Sequence, residues 1–188
     1  MPRRPTTAAL VAAATLLVGA CAAEADPAPT PPSASAAPPP STATPDPGPV
    51  EPTLPAAATR NGKAGAEAFV EYYWEVVSYA QASGDTTRLE DLHAEACSLC
   101  TGAVQWIDRI YGSGGHINGG KHTVLTASAT PSPSGSGRWV VASEIHATAT
   151  RVAGAPGRNG RYDKADMAVT QILEHTGTSW RVHSWSNR

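Results

Sequence analysis

Two cysteines in the middle of the chain, Cys97 and Cys100, are the side chains whose type and spacing allow the most chemistry. Such a pair can close a disulfide, act as a redox couple, or supply two of the four ligands of a zinc site. A redox couple would use the dipole of a helix that begins here, and a zinc site would need two further ligands, with His93 as one candidate. No second ligand pair has the usual spacing and no strand–helix–strand pattern precedes the motif. We therefore predict a structural disulfide, with the redox and metal readings as alternatives.

The other residues that could do chemistry form no catalytic or metal-binding pattern. The six histidines, at positions 93, 116, 122, 146, 175 and 183, are never spaced as HxH or HExxH. There is no GxSxG, and the glycine-rich run 112–120 lacks the Lys and Ser or Thr of a phosphate-binding loop. Three carboxylates, Asp108, Glu144 and Asp166, are placed by the local periodicity on faces that point away from the core. The sequence predicts no catalytic group, no metal ion and no cofactor.

The N-terminus carries an export signal. Arg3 and Arg4 form a positive region, and residues 8–18 form an apolar run that is too short for a membrane span of about 20 residues. The run ends in Leu-Val-Gly-Ala-Cys at residues 17–21, which resembles the bacterial lipobox. We predict that residues 1–20 are a lipoprotein signal peptide and that Cys21 carries the lipid. The acyl chains would hold the protein on the outer face of the cell membrane.

Residues 21–60 are predicted to be a lipidated cysteine followed by a disordered spacer. Residues 22–60 hold 12 of the 17 prolines and no aromatic residue, so they cannot bury enough apolar surface to fold. Proline favours an extended chain, which would lift a domain by up to about 100 Å. The chain has a net charge of −2 with both signs interspersed, so we predict no nucleic-acid partner.

Residues 61–188 are predicted to fold as one α+β domain. Apolar residues recur at spacings of three and four over 65–82, and Gly84 is placed for a left-handed C-terminal cap. A short second helix is expected through Leu89 and Leu92, capped by Thr86 or Thr87, and a third over 98–111. The period then changes to two in four candidate strands, 123–129, 138–152, 164–175 and 179–186. We predict three helices packed on one curved four-stranded antiparallel sheet with a cone-like shape.

Two resemblances follow from these elements. The order of elements, together with a last strand ending in Trp180-Arg181-Val182, resembles the nuclear-transport-factor-2-like cone fold over residues 64–188. More narrowly, the stretch from Tyr72-Tyr73-Trp74 through Gly84-Asp85 and Cys97-Ser98-Leu99-Cys100 to Gly114-Gly115 resembles a family of uncharacterised actinobacterial lipoproteins. Neither resemblance implies a particular activity, because the cone fold hosts enzymes, binding modules and adaptors.

The resemblance to the cone fold implies an apolar pocket between a helix and the sheet. Tyr73, Tyr111 and Gln171 are the expected polar contacts, and Trp180 lies on the face that lines the pocket. The alternative is that the aromatic rings simply fill the core. We therefore expect a non-catalytic envelope lipoprotein that binds a small apolar ligand or an envelope protein. A cone-fold isomerase or hydrolase acting on a small apolar substrate, and a scaffold with a filled core, are the competing hypotheses.

Overall fold

A computed structural model describes residues 47–187 of the chain. The signal peptide, Cys21 and most of the predicted spacer lie outside the described residues. The helices are a 3-10 helix at Ala56–Thr59, α1 at Lys63–Ser83, α2 at Thr87–Asp91 and α3 at Ser98–Gly112. The strands are β1 at His116–Gly119, β2 at His122–Pro131, β3 at Trp139–Ala147, β4 at Thr150–Ala153, β5 at Gly160–Tyr162, β6 at Ala165–His175 and β7 at Trp180–Asn187. Across residues 47–187, no helix has both the length and the apolar character that a membrane crossing requires.

Helix α1 packs its apolar face against the four-stranded sheet that is described next. Its buried side chains recur at helical spacing and include Phe69, Tyr73 and Val76. The helix ends as predicted at Gly84, whose φ of 80° is left-handed and whose N–H donates to the carbonyl of Ala80. A Cβ at this position would lie 2.5 Å from the ring of Tyr111, so the close approach of α3 also requires glycine.

Four strands form an antiparallel sheet in the order β2-β3-β6-β7, which we call the large sheet. Each of its edge strands donates a backbone N–H to another part of the domain. At one edge, the backbone N–H of Ala129 in β2 donates to the carboxylate of Glu67 in α1. At the other edge, Val182 in β7 exchanges backbone hydrogen bonds with Leu92 and Ala94, in the segment between α2 and α3. The core lies between α1, α3 and the inner face of this sheet, and its sheet residues include Val141, Ile145, Val169, Leu173, Trp180 and Val182.

The prediction of a single curved four-stranded sheet is wrong, because the domain has a second, three-stranded antiparallel sheet. This small sheet has the order β1-β4-β5. The predicted strand 138–152 is two strands, β3 and β4, which belong to different sheets. The glycine-rich run 112–120, for which no strand was predicted, contains β1. Alternating hydrophobicity shows that a segment is extended but does not show which neighbour it pairs with, so periodicity could not separate the two sheets.

The strand pairs β2–β3 and β1–β4 follow one another along the same two stretches of chain, and we call them together the ribbon. β2 pairs with β3 down to His122 and Ala147, and β1 pairs with β4 from Gly119 and Thr150 onward. Between these pairs the chain turns a corner, which we define as residues 119–121 and 148–149. Gly119 and Gly120 have φ values of 77° and 74°, in the left-handed region. Across the corner, the N–H of Gly120 donates to the carbonyl of Ala149. Adjacent glycines therefore let the ribbon leave one sheet and enter the other.

Residues upstream of position 61 also make contacts with the folded domain. Ala58, in the 3-10 helix, is completely buried, and Leu54 packs against the core. The ring Nε2 of His175 lies 3.1 Å from the carbonyl oxygen of Thr59. The end of the predicted spacer is thus in contact with the domain, while the boundaries of the signal peptide, spacer and domain remain predictions.

Candidate functional site

Three of the four residues expected to line a pocket are completely or almost completely buried in the core. Tyr73 and Trp180 are each 1% exposed and Gln171 is 0% exposed. Tyr73 packs against the rings of Phe69 and Trp74, and burial raises the pKa of its hydroxyl. Gln171 lies at the centre of the large sheet, opposite Trp185 on β7. These side chains occupy densely filled space between α1 and the sheet.

The fourth of these residues, Tyr111, joins helices instead of lining the same space. Its hydroxyl donates to the carbonyl oxygens of Gln81, at 2.7 Å, and Ala82, at 3.1 Å. These carbonyls belong to the last turn of α1, which lacks intrahelical partners. The Tyr111 hydroxyl also accepts the backbone N–H of Ile117 in β1, at 3.4 Å. Tyr111 therefore fixes the end of α1 relative to α3 and the small sheet.

A cavity of about 160 Å³ lies at the corner of the ribbon. We call it the corner cavity. Five side chains from five different elements line it: Gln81 of α1, Trp106 of α3, His122 of β2, Thr150 of β4 and Tyr162 of β5. None of the five was predicted as a site residue. Within residues 47–187, neither this cavity nor four others are lined by Tyr73, Tyr111, Gln171 or Trp180.

The backbone at Gly120 shapes the corner cavity. A Cβ at this position would lie 2.4 Å from Oε1 of Gln81 and 2.9 Å from Oγ1 of Thr150. The left-handed φ and this close approach both require glycine. Oε1 of Gln81 is itself buried and accepts no hydrogen bond from any residue between 47 and 187. A buried acceptor without a donor costs about 1–3 kcal/mol, so this oxygen is positioned to gain from a bound donor.

His122 is held as a neutral imidazole. Its ring packs on the indole of Trp74, with 5.0 Å between centroids, and burial lowers its pKa to about 4. The hydroxyl of Ser78 donates to the carbonyl of Trp74 and accepts the backbone N–H of His122. Since that hydroxyl proton is already used, we assign the proton of the imidazole to Nδ1, which lies 3.4 Å from the Ser78 oxygen. Nε2 is then the acceptor nitrogen of the ring.

Two aromatic rings complete the corner cavity. Trp106 and Tyr162 meet edge to face, with their centroids 6.3 Å apart. Trp106 is half-buried against the core, whereas Tyr162 is 52% exposed and forms the outer rim. The cavity thus combines aromatic walls with an amide, a hydroxyl and a neutral imidazole. This is the composition of a site that holds a small uncharged molecule by shape and a few hydrogen bonds.

Cys97 and Cys100 form a disulfide in the structure, with 2.04 Å between the sulfur atoms. Both residues are 1% exposed, and Cys97 is the N-cap residue of α3. Nδ1 of His93 lies 2.9 Å from the carbonyl oxygen of Leu89. Within residues 47–187, no group of three or more His, Cys, Asp or Glu side chains is arranged to hold a metal ion. Burial of the sulfur atoms argues for the structural reading, since redox-active cysteines are partially exposed.

Comparison with known proteins places the chain in a family but does not identify an activity. Residues 40–186 match the model of a family of unknown function, DUF6318, and the chain belongs to this family. No curated protein matches the sequence. Among solved structures, the chain is similar to the intermembrane space region of the chloroplast protein ARC6. The TM-score is 0.52 at 16% identity, and the match covers 68% of this chain and 97% of that chain. At this identity the likeness concerns the fold alone.

Proposed function

We propose that this protein is an exported lipoprotein, anchored to the outer face of the cell membrane through Cys21, whose folded domain binds a small uncharged ligand without transforming it. The anchor is inferred from the positive region, apolar run and lipobox-like residues 17–21. The binding role is inferred from the corner cavity.

The observation that carries the binding role is the unpartnered amide oxygen of Gln81 beside the neutral ring of His122 and the two aromatic walls. Buried polar groups normally have partners, and an unpaired acceptor in a cavity is retained at a cost in stability. A ligand that donates a hydrogen bond would recover that cost. The large sheet and the helices packed on it, in contrast, hold the lining residues of the cavity in place.

We favour binding over catalysis because of the titratable group in the cavity. General acid–base catalysis is most efficient when the pKa of the catalytic group lies near the working pH. The pKa of His122 is lowered to about 4, so its imidazole is a weak base and carries no proton to donate near neutrality. No carboxylate is among the five lining side chains.

Nuclear magnetic resonance on the full chain tests the binding role. Uncharged ring compounds that carry hydrogen-bond donors should shift the side-chain signals of Gln81, Trp106 and His122. The indole signals of Trp180, in the core of the large sheet, should stay in place. Shifts spread over the whole domain, or none at Trp106 with any uncharged compound, would contradict a site in the corner cavity.

Cell fractionation tests the anchor. Replacing Cys21 by Ala removes the thiol to which lipid is attached, so the variant should move from the membrane fraction to the soluble fraction. The double variant Cys97→Ala and Cys100→Ala is the control, because it removes the other two cysteines, keeps Cys21 and should leave the protein in the membrane fraction. A Cys21→Ala variant that stays on the membrane would show that lipid on this residue is not the anchor.

A further inference from the structure

The five side chains of the corner cavity also indicate the chemical class of the ligand. We propose that this cavity binds a single neutral sugar ring, either as a free sugar or as the terminal unit of a polysaccharide. The inference rests on the proposed binding function of the cavity and adds to it the identity of the ligand class.

The size of the cavity limits the ligand to one ring. Pockets for drug-sized ligands have volumes on the order of 300–1,000 Å³. The corner cavity measures about 160 Å³, which suits one six-membered ring with its substituents. Because the rim residue Tyr162 is 52% exposed, a ligand seated in the cavity can continue into solvent. A terminal sugar of a longer chain therefore fits as well as a free one.

The aromatic walls match the apolar face of a sugar. The C–H groups of a pyranose ring are polarised by the neighbouring oxygens and carry partial positive charge. The face of an aromatic ring carries partial negative charge, so such C–H groups pack favourably on it. Trp106 of α3 and Tyr162 of β5 both line the cavity, and their edge-to-face arrangement puts aromatic surface on two of its sides.

The polar groups match the edge of a sugar, where each hydroxyl both donates and accepts a hydrogen bond. Oε1 of Gln81 needs a donor, and Nε2 of His122 is an acceptor. The amide N–H₂ of Gln81 adds donor capacity, and Oγ1 of Thr150, which donates its own proton to the carbonyl of Thr148 at 3.4 Å, adds a second acceptor. A purely apolar ligand would leave the buried oxygen of Gln81 without a partner.

The absence of charge in the cavity selects against ions. None of the five lining side chains is a carboxylate, a lysine or an arginine, and burial lowers the pKa of His122 to about 4. Burying an ion without an opposite charge is costly. A neutral ligand with hydroxyl groups meets each of these conditions.

The test is titration of the full chain with neutral sugars, followed by calorimetry and by the indole signal of Trp106. Glucose, galactose, mannose, arabinose and N-acetylglucosamine form the panel, and a neutral polysaccharide ending in the best sugar forms a second arm. At least one sugar should bind at 1:1 stoichiometry. Gln81→Met, which keeps the length of the side chain and removes the amide, should weaken binding about tenfold, as should Thr150→Val to a smaller extent.

Matched variants distinguish loss of binding from loss of structure. Gln105→Met alters an exposed glutamine of α3, and Trp139→Leu alters a half-buried tryptophan of β3; both should leave sugar binding unchanged. Binding by free sugar and not by the polysaccharide assigns a free monosaccharide, and the reverse assigns a chain end. Both results support the proposal.

Other outcomes would contradict the sugar proposal, and they distinguish an error in the ligand class from an error in the binding site. If no sugar binds but indole, phenol or N-methylacetamide shifts the signals of Trp106 and Gln81, the sugar class is wrong and the binding cavity stands. If neither sugars nor these compounds shift the signals of the five lining residues, both the sugar proposal and the proposed binding function are wrong. Sugar binding that survives both Gln81→Met and Trp106→Leu would place the sugar elsewhere.

Discussion

Two regions of the domain differ in the surroundings of their buried polar groups. The first is the packed region between α1 and the large sheet, which we call the filled region, and the second is the corner cavity. In the first, Gln171 is completely buried, and neither atom of its amide has a hydrogen-bond partner within residues 47–187. The surrounding side chains fill the space, including Trp74 and Trp185, which meet edge to face at 5.6 Å. At the corner, the unpartnered amide oxygen of Gln81 borders a cavity instead.

We therefore expect substitutions in the filled region to affect mainly stability, and substitutions at the corner to affect mainly ligand binding. Side chains in the filled region contribute apolar burial and close packing, so their loss should unfold the protein. Side chains at the corner line open space on one side, so their truncation should change ligand binding and should cost less free energy of unfolding than truncation in the filled region. The filled region agrees with the scaffold hypothesis for that half of the domain, whereas the corner does not.

The largest effect is expected in the filled region. Leu173→Ala, at a position with 0% exposure in β6, should lower the free energy of unfolding by about 3 kcal/mol, because it leaves a cavity in a packed core. Trp106→Leu at the corner should lower it by no more than about 1 kcal/mol. Urea denaturation of both variants measures the two values. Similar losses at both sites would remove the distinction between the regions.

The second effect is a loss of stability in acid that depends on His122. The pKa of this histidine falls from 6.5 to about 4 on folding, so the unfolded chain binds the proton first as pH is lowered. The contribution of His122 is complete above pH 6.5, declines as pH falls to about 4, and amounts to roughly 3 kcal/mol. His122 also borders a groove that contains Glu71, Glu75 and Lys121.

Urea denaturation of wild type and of His122→Gln at several pH values between 4 and 7 measures this contribution. The variant should lose much of the acid sensitivity in this window. His116→Gln, which alters an exposed histidine in β1, is the control and should behave as wild type. An imidazole that titrates near 6.5 by nuclear magnetic resonance would show that the corner does not exclude the charged form.

The third effect concerns the disulfide, which lies at the edge of the large sheet. Cys97 and Cys100 adjoin the segment whose Leu92 and Ala94 bond to β7. Replacing both cysteines by Ala should lower the free energy of unfolding by about 2 kcal/mol, the value expected for so short a loop. Ligand binding at the corner should be unaffected. A redox titration should give a potential below about −300 mV, and one near those of oxidoreductases would favour the redox reading.

The smallest effect has the opposite sign. Gln171→Met should raise the free energy of unfolding by about 1 kcal/mol, because it removes two buried polar atoms without partners and nearly preserves the volume. Gln81→Met removes one buried oxygen without a partner and should also raise the free energy of unfolding, by about 1 kcal/mol. Thermal unfolding of the two variants compares them directly. If Gln171→Met is clearly destabilising, the amide of Gln171 makes an interaction that the filled region depends on.

The sequence alone was sufficient for features that depend on neighbouring residues. The periodicity of three and four located α1 and α3, and Gly84 ended α1 in the predicted left-handed conformation. Alternation located β6 and β7 to within one residue of their ends. The pairing of Cys97 with Cys100 was also predictable. Caps, local periodicity and a three-residue cysteine spacing are all set within one or two turns of chain.

The second sheet and the corner cavity were decided only by the tertiary structure. The lining residues lie between positions 81 and 162 and come from five elements, so no local pattern connects them. Gly119-Gly120 was a visible signal, but a glycine pair indicates a special backbone conformation and not the direction in which a ribbon bends. That direction depends on which strands pair on either side of the bend. Strand pairing is a contact between distant residues, and its energy does not appear in the sequence of either strand taken alone.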